Sequence, residues 1–230
     1  MSHSTGQFRV LLTIDCLVFG FEKNELKLLL VPNEGDGEPG KWSLIGGFLQ
    51  EAESLDETAI CILEKVTGLK DVYMESLKPF SNPKRGLSER TIGIAYFFLV
   101  NFNRLDHQAI KRHKAKWFLI NQMPAMVADH REIANSAIEQ LRCSADRRLI
   151  LFELLQEQFT LPELITVYES VYGKVFDVRN FNRKFLSTGF LLKQTEKSWL
   201  TSKKGAFYYK LNKELYSLSF IDYAIRPDQG

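Results

Sequence analysis

Gly47 is followed six residues on by Glu53, and an apolar-periodic run then closes at Thr67-Gly68-Leu69. The run opens on Ser54 with Glu57 three residues later, the reciprocal pairing of side chain and backbone that starts a helix. Leu55, Ala59, Ile62 and Val66 recur at helical spacing, so one face of this helix must be buried. Gly68 supplies the left-handed residue that ends it. A strand through Gly46-Gly47, a short loop and a capped helix therefore form one unit, and the rest of the fold has to cover its apolar face.

The flanking sequence supplies strands. Phe8 to Phe21 is rich in Val, Ile, Leu and Phe and reads as a buried strand, and Leu26 to Val31 reads as a second after the turn at Lys23-Asn24. Residues 33–40 hold three Gly, one Pro and three acids and form a loop. Trp42 to Leu49, Val72 to Phe80, Thr91 to Val100 and Lys116 to Ile120 read as further strands. Asp129 to Cys143 is a helix, with Asp129 and Glu132 spaced as a cap.

After Cys143 the pattern changes to helices followed by a hairpin. Ser144 is placed to cap a helix from Ala145 to about Gln158. Thr160-Leu161-Pro162-Glu163 is a second capping box, with Pro in the first turn where its missing N–H does no harm. Leu161, Leu164, Ile165, Tyr168, Val171 and Tyr172 form one apolar stripe that ends at Gly173. Asp177 caps a third helix, closed by Gly189. Phe190 to Lys193 and Ala206 to Leu211 read as two strands, with Lys197, Lys203 and Lys204 between them. Three short helices and a basic hairpin make a winged helix-turn-helix.

Charge supports that reading. The chain carries a net +2, but residues 177–210 hold eight Lys or Arg against Asp177 and Glu196. A local excess of this kind is the footprint of a polyanionic partner. On the third helix, Val178, Phe181 and Phe185 share one side, with Leu186 at its margin, while Arg179, Asn180, Arg183, Lys184 and Ser187 point away and Asn182 lies at the border. Arg bonds guanine bidentately and Asn does the same for adenine, so this face suits a major groove, with Lys184, Lys203 and Lys204 holding phosphates.

Other functions are excluded or left without support. Cys16, Cys61 and Cys143 are widely spaced, show no C-x-x-C pairing and read as thiols, which fits a reducing interior. His3, His107, His113 and His130 show no ligand spacing. No run approaches the length of a membrane span, and the polar N-terminus has no signal-like apolar region, so a soluble cytoplasmic protein is expected.

The frame from Gly47 to Leu69 resembles the Nudix box, G-x5-E-x7-R-E-U-x-E-E-x-G-U, with U a bulky aliphatic residue. Gly47, Glu53, Leu63, Gly68 and Leu69 stand where that pattern places them, but Cys61 holds the Arg position and Ile62, Lys65 and Val66 hold the three helix carboxylate positions. Divalent Mg²⁺ or Mn²⁺ needs clustered hard oxygen ligands. Glu57 and Glu64 share a helix face but fall outside the family register, so neither a metal nor any other cofactor is expected, and no hydrolase activity. The whole chain resembles the Nudix-related transcriptional regulators, on the phrases Phe159-Thr160-Leu161-Pro162-Glu163-Leu164, Val167-Tyr168-Glu169, and Asp177-Val178-Arg179-Asn180-Phe181-Asn182-Arg183-Lys184.

The resemblance implies an α+β chain: a Nudix-like α/β/α sandwich over 1–143 that binds an effector and dimerises, then a winged helix-turn-helix over 144–230 that binds operator DNA. It implies a homodimer presenting its third helices to successive major grooves of a palindromic operator, with the helix from Asp129 to Cys143 as transmitter. It implies a small-molecule effector bound near the former substrate cleft, where Asp15, Lys41, Trp42, Glu53, Arg90 and Tyr96 are the candidates. With the helix carboxylates lost, a sugar such as L-arabinose is the expected effector. An ADP-ribose-type nucleotide, for which Lys84, Arg85 and Arg90 offer charge, is the alternative, as is a Nudix hydrolase with residual activity.

Overall fold

The computed structural model describes residues 9–34, 38–85, 89–199 and 205–219. The first strand, β1 (Leu11–Glu22), turns through Lys23 and Asn24, both at positive φ, into β2 (Glu25–Pro32). Next come β3 (Trp42–Ser43), β4 (Ile45–Phe48), helix α1 (Leu55–Thr67), β5 (Tyr73–Ser76) and β6 (Thr91–Val100). A short helix α2 (His107–Arg112) leads to β7 (Lys116–Leu119) and then to the long helix α3 (His130–Arg147). The stretch expected as one strand from Trp42 to Leu49 divides in two. β3 joins β2, and β4 joins β1.

These seven strands form one sheet in the order β3-β2-β1-β6-β5, with β4 on β1 and β7 on β2. The β1–β6 pair at its centre is parallel. Residues alternate across such a sheet. Ile14, Cys16 and Val18 of β1 and Tyr96, Phe98 and Val100 of β6 face α1, packed with Ala59, Leu63 and Val66. Leu17 and Phe19 of β1 and Ala95, Phe97 and Leu99 of β6 face the other way, onto Ile133, Ala137, Ile138 and Leu141 of α3. This is the α/β/α sandwich.

Helix α1 forms as its sequence requires. Ser54 and Glu57 make the full capping box, and Gly68 closes the helix at φ 75°, with its N–H donating to the Glu64 carbonyl.

The next segment departs from expectation. Ser144 does not start a new helix, because α3 runs unbroken through it to Arg147, followed only by a short 3-10 turn at Ile150–Leu154. The Ser144 hydroxyl donates to Glu75 on β5 instead of capping a helix, so the backbone has no reason to stop there. Nor does Asp129 cap α3 through its side chain, which is engaged by Arg85.

The second half adds β8 (Phe159–Thr160), α4 (Leu161–Tyr172), α5 (Val178–Ser187), β9 (Leu191–Ser198), β10 (Ala206–Leu211) and α6 (Lys213–Ser219). A small sheet runs β8-β10-β9. Thr160 and Glu163 cap α4 as read, and the Asp177 side chain caps α5. β9 is longer than the expected Phe190 to Lys193. The short elements α2, β8 and α6 carry too little periodicity to be read from sequence. Aromatic rings build this core: Tyr168 lies edge-on to Phe181 at 5.3 Å and to Phe185 at 5.2 Å, and Phe152 packs on Phe159 and Phe185. The apolar residues beneath α3 and those of the winged helix form one continuous cluster from Leu17 and Phe97 to Phe181 and Phe185.

Candidate effector site and nucleic-acid interface

Three polar groups meet where β1, β6 and the start of α3 converge. Arg85, with its side chain 6% exposed, donates to Asp15 on β1 and, at 2.8 Å, to Asp129 at the head of α3. Its guanidinium lies above Gly93 of β6, which pairs with Thr13 of β1. A Cβ at Gly93 would stand 2.5 Å from the guanidinium carbon, so only glycine leaves room for the cation there. His130, the first residue of α3, accepts a 3.0 Å hydrogen bond at Nδ1 from the Leu44 N–H and turns Nε2 toward Asp15 at 4.0 Å.

Burial sets the protonation of this cluster. Desolvation raises Asp15 above its ordinary range, against the pull of His130 and Arg85. Desolvation lowers His130, against the pull of Asp15, which favours its neutral form. Two carboxylates and one guanidinium thus share an enclosed space.

That space holds unmet hydrogen bonds. Among the described residues, Thr13 Oγ1, Asp129 Oδ1 and one Nη of Arg90 are buried without a partner. Arg90 belongs to the same loop as Arg85, and its other Nη donates to Ser81. A cavity of about 330 Å³ is lined by Lys78, Ser81, Lys84, Arg85 and Asp129; Thr13 and Arg90 are not on its wall, although Arg90 bonds Ser81, which is. Buried polar groups are almost always paired, so the orphaned atoms of Asp129, which lines the cavity, and of Thr13, which pairs with Gly93 beneath Arg85, mark a ligand position. A larger cleft of about 890 Å³ lies between Asn101 and Arg104 of the first half and Phe152, Leu211 and Tyr216 of the second, and none of the orphaned atoms lines it.

The six residues expected to line the effector site are divided by the sheet. Asp15 sits at this cluster, and Arg90 bonds the Ser81 carbonyl on the cavity wall. Lys41 and Trp42 lie nearby: Lys41 pairs with Glu38, which also accepts from the Ala128 N–H, while Trp42 exchanges backbone hydrogen bonds with Ala125 and Val127 and packs edge-on to Phe118. Tyr96 and Glu53 belong to the opposite side. Tyr96 faces α1 and donates to Asp56 at 2.5 Å, and Glu53 accepts from Thr58 at 2.9 Å. The strand alternation separating Asp15 from Tyr96 is not visible until the register is known. Thr13 and Asp129 are participants that carry no signal for this site in sequence, whereas Arg85 is one of the three cations expected to serve a nucleotide.

The α1 side does not fit a divalent cation. Ile62, at a carboxylate position of the box, packs 3.4 Å from where a Cβ of Gly47 would lie. Glu57 is committed to the helix cap and Glu64 to Lys70 at 2.9 Å. Among the described residues no group of three or more His, Cys, Asp or Glu is placed to hold a metal ion.

The second surface is α5 with the hairpin. Phe181 and Phe185 are buried against Tyr168, leaving Arg179, Asn180 and Arg183 exposed and Asn182 and Lys184 half-buried. Arg183 donates to Asn180 at 3.1 Å, linking two exposed readers. Val178 and Leu186 do not join the core as their spacing implied; Val178 is 58% exposed because the helix begins there, before any neighbour covers it. Lys203 and Lys204 lie outside the described residues. Lys193 and Lys197 hold their ammonium groups over the Phe207 ring, at 3.8 and 4.5 Å from its centroid, which fixes two cations on the hairpin. No helix among the described residues is long and apolar enough to cross a membrane.

The sequence matches the NUDIX domain family over residues 11–139 and the NrtR DNA-binding winged helix domain over residues 151–211. The residues between the two matches, 140–150, contain the last turns of α3. The chain is similar to a crystal structure of Shewanella oneidensis NrtR complexed with a 27mer DNA, at 30% identity and a TM-score of 0.76, covering 90% of this chain and 95% of that one. It is 25% identical, over 91% of its length and 85% of the relative's, to the ADPR responsive transcriptional repressor NtrR of Acinetobacter baylyi. It is also 25% identical over 55% of its length to 75% of an ADP-ribose pyrophosphatase of Methanocaldococcus jannaschii. These relatives correct the expectation of a sugar effector: two of the three carry ADP-ribose in their names, and none points to L-arabinose.

Proposed function

Because this chain belongs to the Nudix family and joins its Nudix domain to an NrtR-type winged helix, we propose that it is a transcriptional repressor whose hold on operator DNA changes when ADP-ribose binds. Similarity over nine-tenths of the chain to a regulator solved on DNA supports the DNA half. The observation that carries the effector half is the pair of unpartnered buried atoms of Thr13 and Asp129 around Arg85. Ribose hydroxyls both donate and accept, as Thr13 and Asp129 require, and a diphosphate meets Lys78, Lys84 and Arg85 at the cavity wall.

In this reading Asp15, Arg85, Arg90 and Asp129 form the effector site, and Arg179, Asn180, Asn182, Arg183 and Lys184 read or hold the operator, with the hairpin lysines, Lys203 and Lys204 among them, on phosphates. Two protomers pair through their Nudix domains and set the two α5 helices one turn of duplex apart, roughly 34 Å. Asp129 and His130 begin α3, and Arg142 and Asp146 near its far end bond Val171 and Tyr172 of α4. A ligand that draws Arg85 from Asp129 therefore acts on the helix that positions the reader. Only a difference in affinity between the two arrangements moves the equilibrium.

The Nudix domain binds this ligand without cleaving it, since α1 offers no cluster of hard oxygen ligands. The relative that is a pyrophosphatase favours the second reading, a hydrolase with residual activity. One experiment separates them. Promoter fragments from the source genome are titrated with the purified protein, with and without ADP-ribose, in EDTA and in Mg²⁺, and the nucleotide is recovered by chromatography. A shift in DNA affinity with intact ADP-ribose in both buffers supports the sensor. Turnover in Mg²⁺ that Glu53→Gln abolishes would establish the hydrolase.

A further inference from the structure

Phe48 is the last residue of β4 and is 58% exposed, an unusual state for a phenylalanine on a central sheet. Its position relates it to the cluster above. Phe48 pairs with Thr13 of β1, and Thr13 pairs with Gly93 of β6. Directly opposed residues on neighbouring strands project from the same face. That face is the one carrying Asp15, since Ile45, three residues earlier on β4, packs on the α1 side. Phe48, Thr13 and Gly93 therefore form a row across three strands, with the Arg85 guanidinium above Gly93. Two strand spacings, about 10 Å, separate the ring from that cation.

The floor between them carries little side-chain bulk, although Gly93 and the Thr13 hydroxyl are themselves buried. Gly46 lies opposite Asp15 and brings no side chain, Gly93 brings none, and Leu11, two residues from Thr13 on the same face, is also exposed. One end of this shelf is cationic and lined by orphaned hydrogen-bonding atoms. The other is an aromatic ring facing water. A ligand with a charged sugar-phosphate portion and a flat apolar ring has the matching polarity.

We propose that Phe48 is the base-stacking residue of the effector site and sets its preference for a nucleotide over a simple sugar phosphate. The proposal rests on the ADP-ribose reading above and adds to it the position of the adenine. The ring supplies an apolar face to the base, and the orphaned atoms of Thr13 and Asp129 and the cations beyond them receive the rest.

The test compares wild-type protein with Phe48→Leu and Phe48→Tyr in calorimetric titrations with ADP-ribose, beside sedimentation of each protein without ligand. Aromatic-to-base contacts imply about a tenfold loss of affinity for Phe48→Leu, which keeps apolar bulk but removes the ring, and affinity within about twofold of wild type for Phe48→Tyr. Because the side chain is exposed, both variants keep the fold. Equal binding by Phe48→Leu and wild type overturns the stacking role while leaving the ADP-ribose reading intact. A change in the sedimenting species of Phe48→Leu without ligand also overturns it, since the ring then belongs to a contact between copies of the chain. Failure of the wild-type protein to bind ADP-ribose removes the reading beneath it.

Discussion

Glu75 of β5 and Arg148, the residue that closes α3, form an ion pair that ties the outer strand of the first sheet to the end of the long helix. Glu75 also accepts from Tyr73 at 2.5 Å and from Gln140 and Ser144 at 2.7 Å each. Burial opposes its ionisation, but these hydrogen bonds and the Arg148 charge outweigh it and hold the carboxyl below the usual range. α3 is thus fastened at both ends, by Asp129 to Arg85 and by Arg148 to Glu75.

Replacing Glu75 with Ala leaves these donors without their acceptor. The expected loss is about 1–3 kcal/mol of unfolding free energy, measured by urea titration. The contribution of the carboxylate is full above the ordinary carboxyl value of 4.5 and fades as pH falls through its lowered native value, so the gap between wild type and Glu75→Ala should narrow in acid.

His130 adds to the same acid-side decline, beginning at higher pH. Burial lowers its pKa from the model-compound value of 6.5, so the folded chain resists protonating it. Its contribution is therefore complete above pH 6.5 and lost as pH falls below it through the depressed native value. Thermal melts from pH 8 to pH 5 should show this decline, and His130→Asn, which retains an acceptor for the Leu44 N–H, should flatten it.

Gly93→Ala should disable the effector site before it unfolds the protein. The new methyl would meet the Arg85 guanidinium, which Asp15 and Asp129 hold in place. ADP-ribose affinity should fall by about tenfold or more, on the scale of one displaced charge-assisted contact. DNA affinity in the absence of ligand should shift in the same direction as ADP-ribose shifts that of the wild type, because the displaced guanidinium releases Asp129 at the head of α3. Calorimetry and electrophoretic mobility shifts read the two quantities separately.

Arg183→Ala should weaken operator binding by about 1–3 kcal/mol, the worth of a bidentate base contact. Its side chain is exposed and bonds only Asn180 among the described residues, so the melting temperature should move little. Fluorescence anisotropy on a labelled operator checks the first, and differential scanning calorimetry the second. Raising salt should weaken the wild-type complex steeply, because each phosphate contact releases a counterion.

Legibility from sequence followed the length of the signal. α1 and α4 carried a capping box, an apolar period and a terminal glycine, and the structure reproduces all three in each. β6 and β10 were long or aromatic enough to be bounded by their own residues. Ser144 misled because a hydroxyl before an apolar run has two outlets, and the carboxylate that claimed it lies 69 positions away. The effector candidates suffered from the same limit. Asp15 and Tyr96 each looked polar in an apolar strand, but which face each occupies depends on a register that local pattern does not encode. Thr13 and Phe48 carried no signal at all, since their interest lies in what they fail to touch.

The unbroken apolar cluster beneath α3 sets a boundary on protein engineering with this scaffold. Leu17, Phe97, Ile138, Leu151, Tyr168 and Phe185 belong to a single packed body. A chimera that grafts the DNA reader onto a foreign sensor at residue 143 would strip oil from both grafts at once, and would hold together only if the donor sheet offered a surface of matching shape to α4.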